Sequence, residues 1–177
     1  MTRVKDGQVG ELAVLFERHS GRLLSFFMRM TGSRAMSEDL VQEVFVRMLR
    51  YRETYRGEGG GFSAWMFTLA RHAHTDYRRR SARHELPSLP EQEPASDLPS
   101  AADAVESRQA VDLLQVALSR LTPEKREVLI MRRFDFKKFE EIARILDCPV
   151  STAKVRAHRA IRDLRRIYES LLSEATT

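Results

Sequence analysis

Lys154, Val155, His158 and Arg159 stand at i, i+1, i+4 and i+5 within "DCPVSTAKVRAHR". On a helix that spacing makes one stripe near the N-terminal end. Three cationic or titratable side chains around one methyl-bearing side chain suit the major groove of DNA. There Lys and Arg reach guanine edges, and an apolar side chain meets a thymine methyl. Thr152, Arg156 and Arg162 lie on the same outward side. Two plainer readings stand beside this one: an amphipathic hairpin with a basic outer face, and a hydrophobic staple between Val150 and Val155 that removes Val155 from any DNA contact.

The elements that must position the stripe are legible around it. "FEEIARIL" (139–146) has helical periodicity, and Pro149 and Ser151 mark a turn, with Ser151 expected as N-cap of a helix from Thr152 to about Leu172. Ile142, Ala143 and Leu146 face Ala153, Ala157, Ala160, Ile161 and Leu164. The small residues let two helices cross closely, as in a helix-turn-helix. Upstream, Thr122 as N-cap and Pro123 at the first helical position start another helix, and one more covers about 105–120.

The N-terminal half is also helical in period. One helix carries Leu12 to Met30 and stops at Gly32; a second runs from about Arg34 to Tyr51 with Leu40, Val41, Val44, Phe45 and Met48 inward. A glycine cluster at 56–61 breaks the chain, and Ser63 is expected to cap a third helix running into "DYRRR". On the second helix Asp39, Gln42 and Glu43, at i, i+3 and i+4, form a compact acidic and amide patch. It is either a solvated face or a contact for a basic protein.

Charge divides the chain. Residues 1–84 hold 15 Lys/Arg against 9 Asp/Glu, residues 85–107 none against 6, and residues 108–177 15 against 10. Two basic blocks flanking an acidic one suit a polyanion partner. Pro87, Pro90, Pro94 and Pro99 exclude regular structure from the acidic stretch. The expectation is an all-α chain of two small helical domains, 1–84 and 105–177, joined by a flexible acidic Pro-rich linker, 85–104. Cys148 is the only cysteine, which excludes a disulfide framework and a multi-cysteine zinc site. No apolar run is long enough for a membrane span, and "MTRVKDGQVGE" has no signal-peptide core. A cytoplasmic protein without cofactor, metal or catalytic residues is expected, since no phosphate loop, nucleophile elbow or zinc-protease motif appears.

The helix-turn-helix alone also resembles the DNA-binding end of two-component response regulators, but residues 1–84 lack the alternating strands of a receiver. "SEDLVQEVFVRML", "FSAWMFTLARHAHTDYRRR", "LTPEKREVLIMRRF" and "FEEIARILDCPVSTAKVRAHRAIRDLR", in that order, resemble the extracytoplasmic-function (ECF) subfamily of bacterial RNA polymerase sigma factors. The resemblance implies that Asp39, Gln42 and Glu43 bind the clamp helices of the largest core-polymerase subunit. It implies that the loop 52–62 and the following helix capture melted bases of a minus-ten element, with Arg56, Phe62, Trp65, Arg71, Arg78 and Arg79 as walls and cations beside Tyr55; for Trp65, core packing is the favoured alternative. Thr152, Lys154, Val155, Arg156, His158 and Arg159 would read a minus-thirty-five element. The face around Leu129, Met131 and Phe134 would dock the flap of the second-largest subunit, the linker would thread toward the RNA exit path, and an anti-sigma factor would cover both domains. His72 stands where the family usually has Asn, and Ser151-Thr152-Ala153 where it often has Gly-Thr-Val. A free-standing helix-turn-helix regulator is the rival reading.

Overall fold

The computed structural model describes residues 1–57, 61–83, 103–135 and 137–176. Eight α-helices follow one another there: α1 (Thr2–Lys5), α2 (Glu11–Thr31), α3 (Arg34–Arg50), α4 (Gly61–Arg83), α5 (Asp103–Ser119), α6 (Pro123–Arg133), α7 (Phe139–Ile145) and α8 (Val150–Thr176), with a 3-10 turn at Arg52–Thr54. No strand occurs among the described residues, so the all-α expectation holds. The Pro-rich stretch expected as a linker lies almost wholly outside the described residues.

Local chemistry sets most boundaries. Gly32, at φ 75°, ends α2 in the left-handed region, and its N–H returns to Met28 O at 2.8 Å. Ser33 caps α3 by accepting from the Met36 N–H. Thr122 and Pro123 open α6 as expected, although the Thr122 hydroxyl makes no capping bond. Two expected caps lie elsewhere. Ser63 is inside α4, which already begins at Gly61, and Ser151 is inside α8, whose first turn closes through Ala153 N–H to Pro149 O at 3.1 Å.

In the N-terminal half α2, α3 and α4 pack around Phe26, Phe27 and Phe67; Phe26 meets the other two rings edge-on at 5.3 and 5.2 Å. In the C-terminal half Ile142, Ala143, Ile145 and Leu146 of α7 pack with Ala153, Ala157 and Ala160 of α8 in the same buried cluster. Methyl-sized side chains here let the helices approach. Ala157→Leu is expected to destabilise the fold by about 1–3 kcal/mol through overpacking, read as a lower urea midpoint at unchanged slope.

The two halves do not stand apart. Their apolar residues form one continuous core, with α2 against α5 and α6, and α4 against α7. Leu129 and Met131, expected on a free docking face, are 2% and 0% exposed within it. An amphipathic pattern marks an apolar face but does not say which neighbour covers it.

Candidate polymerase and nucleic-acid interface

The helix-turn-helix stripe is open to solvent. Lys154, Val155, His158 and Arg159 are all exposed, and Val155, at 49%, is not held in a staple. The turn before α8 is tight: Asp147 takes φ 49°, a left-handed value that Asp tolerates better than most residues, and Cys148 N–H bonds back to Ala143 O at 2.9 Å. Glu141 accepts from the Lys138 N–H at 3.2 Å, fixing the start of α7. Thr152 and Arg156 are only half exposed, so they flank the stripe rather than belong to it. Arg132 and Arg133, at the end of α6, line a cleft with Phe139, Lys154, His158 and Ile161, extending the cationic surface past the stripe. Sequence reasoning missed these two, although "MRRF" carried the signal.

Around the glycine-broken loop, aromatic side chains converge. Tyr55 lies 5.4 Å from Trp65 and 6.3 Å from Phe62, ring centre to ring centre, and His19 of α2 lies 4.9 Å from Phe62. The Trp65 indole N–H donates to Thr54 Oγ1 at 3.2 Å. Trp65 is therefore only partly buried, packed on the core by one face and at the rim of an aromatic cluster by the other. Burial lowers the His19 pKa, helped by the charges of Arg18 and Arg22, so this imidazole is neutral at pH 7. His19 was legible only as a member of a helical stripe.

The arginines of α4 divide between two faces. Arg71, His74 and Arg78, at i, i+3 and i+7, share the side turned toward α6, where Arg71 Nε lies 3.5 Å from Glu127 Oε2 and His74 and Arg78 lie near Arg126. Arg79 lies on the other side with His72 and Asp76, and both His72 and Arg79 are exposed. Arg56 is exposed beside the aromatic cluster. Arg71, Arg78 and Arg79 are thus not brought to one surface.

On α3, Asp39 and Gln42 are exposed, with Val46 beside them at 51%. Glu43 is engaged: Arg47 Nε donates to Glu43 Oε1 at 2.6 Å, and Arg47 Nη1 to Asp76 Oδ2 at 2.9 Å. Burial depresses the Arg47 pKa, but these two partners overcome it and leave it raised. One guanidinium thus ties the acidic face of α3 to α4.

Among the described residues no three His, Cys, Asp or Glu converge on a metal site, and no helix is long and apolar enough to cross a membrane.

The chain matches the Sigma-70 region 2 family over residues 15–84 and the Sigma-70, region 4 family over residues 112–164. It is 32% identical over 173 residues to the RNA polymerase sigma factor CarQ of Myxococcus xanthus, covering 97% of each chain. It is 30% identical over 176 residues to the ECF RNA polymerase sigma factor SigL of Mycobacterium tuberculosis, covering 97% of this chain and 98% of SigL. Its fold is similar to the sigma factor RpoE in complex with the anti-sigma factor NepR from Bartonella quintana, with a TM-score of 0.70 at 20% identity over 90% of this chain and 97% of that one. CnrH in complex with the cytosolic domain of CnrY gives 0.68 at 20% identity over 96% and 94%. With both family models matched in order and these relatives covered almost from end to end, the chain belongs to the ECF RNA polymerase sigma factors.

Proposed function

We propose that the chain recruits core RNA polymerase to a two-part promoter and supports opening of the duplex there, acting in the cytoplasm and catalysing nothing itself. Residues 1–84 form the core-binding and minus-ten domain, 105–177 the minus-thirty-five domain, and 85–104 the connection. Asp39, Gln42 and Glu43 contact the clamp helices of the largest subunit. Phe62 and Trp65, with Tyr55 and Arg56, receive melted minus-ten bases, while Arg79 on one face of α4 and Arg71 and Arg78 on the other supply cations for the DNA backbone around them. Thr152, Lys154, Val155, Arg156, His158 and Arg159 read or flank the minus-thirty-five element. Phe134, half-buried at the end of α6, remains for the flap of the second-largest subunit. The anti-sigma factor NepR named with RpoE supports an anti-sigma partner here as well.

The observation that carries this reading is the exposed basic stripe near the N-terminal end of α8, in the same chain as an exposed Asp39–Gln42 face on α3. A helix-turn-helix regulator working alone has no use for the second. Selection of promoter fragments from a random pool, with and without core polymerase, separates the two. Specific enrichment is expected only with core. Lys154→Ala and Arg159→Ala should each weaken binding to the selected upstream element by about 1–3 kcal/mol. Tight sequence-specific binding by the isolated chain would favour a free-standing regulator.

A further inference from the structure

The first helix is too short to stand on its own. α1 has four residues, a single turn, and a lone turn of helix is unstable in water. Yet Val4 is 0% exposed, with α1 lying against α2 and the 3-10 turn at Arg52–Thr54. The exposed Arg3–Glu11 pair, at 3.2 Å, contributes little to holding it there. Burial of Val4 fixes α1, and α1 in turn presents Lys5. Lys5 Nζ donates to the Tyr55 carbonyl oxygen at 3.4 Å, across a separation of 50 residues in the chain.

The ring of that same Tyr55 stands in the aromatic cluster, 5.4 Å from Trp65 and 6.3 Å from Phe62. Its own backbone is lightly held. The Tyr55 N–H bonds to Arg52 O at 3.1 Å in a 3-10 turn, whose hydrogen bonds are poorer than those of an α-helix. Trp65 secures the preceding residue: its indole N–H donates to Thr54 Oγ1 at 3.2 Å, and Thr54 Oγ1 donates to Tyr51 O at 2.7 Å. Two residues beyond Tyr55, Gly57 takes φ 71°, a value that glycine adopts freely but does not enforce. Lys5 therefore brings a charged donor from outside the loop to the residue whose ring matters most. Neither Val4 nor Lys5 is among the residues assigned above to polymerase or DNA.

We propose that α1 is a positioning element for base capture, in which Val4 anchors the turn and Lys5, through the Tyr55 carbonyl, sets the Tyr55 ring against the melted base. This rests on the minus-ten role proposed above. Lys5 acts on the base only through Tyr55, by favouring one loop conformation, and does not touch DNA. When only a fraction of the loops is competent, the apparent affinity for the base is reduced by that fraction.

The test uses the full-length chain bound to core polymerase and a single-stranded oligonucleotide carrying the downstream half of the selected promoter. Lys5→Met removes the ammonium and keeps the apolar stem. It is expected to weaken oligonucleotide binding about three- to tenfold, as loss of one hydrogen bond gives. Core affinity, and binding to a duplex with only the upstream half, should stay within about twofold, because Asp39, Gln42 and the α8 stripe are untouched. Lys5→Arg, which keeps a cationic donor, should bind the oligonucleotide as the wild type does. Val4→Ala loosens α1 without altering the loop and should weaken oligonucleotide binding as Lys5→Met does. Tyr55→Ala should weaken it about tenfold by removing the stacking ring, and Lys5→Met added to Tyr55→Ala should have no further effect. Oligonucleotide binding unchanged by Lys5→Met or by Val4→Ala would overturn the proposal. So would an additive loss in the double variant, which would mean that Lys5 meets the DNA directly. A wild-type holoenzyme that binds no such oligonucleotide sinks the minus-ten role itself; binding that ignores Lys5 sinks only the positioning.

Discussion

Gln42→Ala combined with Asp39→Ala is expected to weaken association with core RNA polymerase about 30-fold or more, with little change in the stability of the free chain. Both side chains are exposed on α3, so truncating them leaves no buried group without a partner, and exposed surface changes of this kind stay within about 0.5 kcal/mol. At the centre of a protein interface the same truncations commonly remove about 2 kcal/mol or more, which is the stated factor. Val46, exposed between acidic and amide neighbours, supplies the apolar centre that such a patch needs. Glu43→Ala is a less clean probe, because it also takes a partner from Arg47 and loosens the tie between α3 and α4. Glu38→Ala serves as the control. Glu38 directly precedes Asp39 but is held in an exposed pair with Arg34 at 2.9 Å, and its loss should leave core affinity unchanged. Anisotropy titration of the labelled chain with core polymerase measures the wild type and the three variants.

The second large effect concerns pH. Two buried groups respond to acid in opposite directions. Burial raises the Glu127 pKa from 4.5 to about 7, against the pull of Arg71 on α4 and Arg156 on α8 and with help from Glu124 on its own helix. Burial lowers the His74 pKa from 6.5 to about 4, aided by Arg78 and Arg126. For Glu127 the folded state binds the proton more tightly, so its contribution is fully present below pH 4.5 and is lost as pH rises through 7. For His74 the unfolded state binds the proton more tightly, so its contribution is present above pH 6.5 and is lost as pH falls through 4. Each window is about 2.5 pH units wide, or about 3 kcal/mol, and the two nearly cancel. Glu127→Gln should therefore lose about 3 kcal/mol relative to wild type on going from pH 8 to pH 4, and His74→Gln should gain about as much. Urea unfolding of the three chains at the two pH values reads this directly. Parallel pH profiles for all three would show that neither group is buried as described.

Where a residue's role depended on its own helix, it was legible in the sequence. The outward stripe of α8, the small inner face of Ala153, Ala157 and Ala160, and the stop at Gly32 all follow from helical period and backbone preference. What depended on a second helix was not legible. Arg71 and Arg79 are eight residues apart in one basic run, yet one turns toward Glu127 and the other to solvent, and only the position of α6 decides it. Leu129 and Met131 read equally well as a docking face or as core. Lys137 gave no sign of entering the other domain, because a lysine in a loop is ordinarily solvated. Ser63 and Ser151 were misjudged as caps because α4 and α8 start two residues and one residue ahead of them, at Gly61 and Val150, which carry no strong sequence mark. Arg47 was hidden for a related reason: its partner Asp76 lies 29 residues away on another helix.

Run-off transcription tests the central claim most directly. Core polymerase, a linear template bearing the selected two-part promoter, and the full-length chain are combined and the transcript is sized. A discrete transcript should appear only when the chain is present. It should weaken with Gln42→Ala on every template, and with Arg159→Ala chiefly on templates that keep the upstream element. Equal transcription with and without the chain, or binding of the chain to core with no transcript from any selected promoter, would contradict its role as a promoter-specificity subunit.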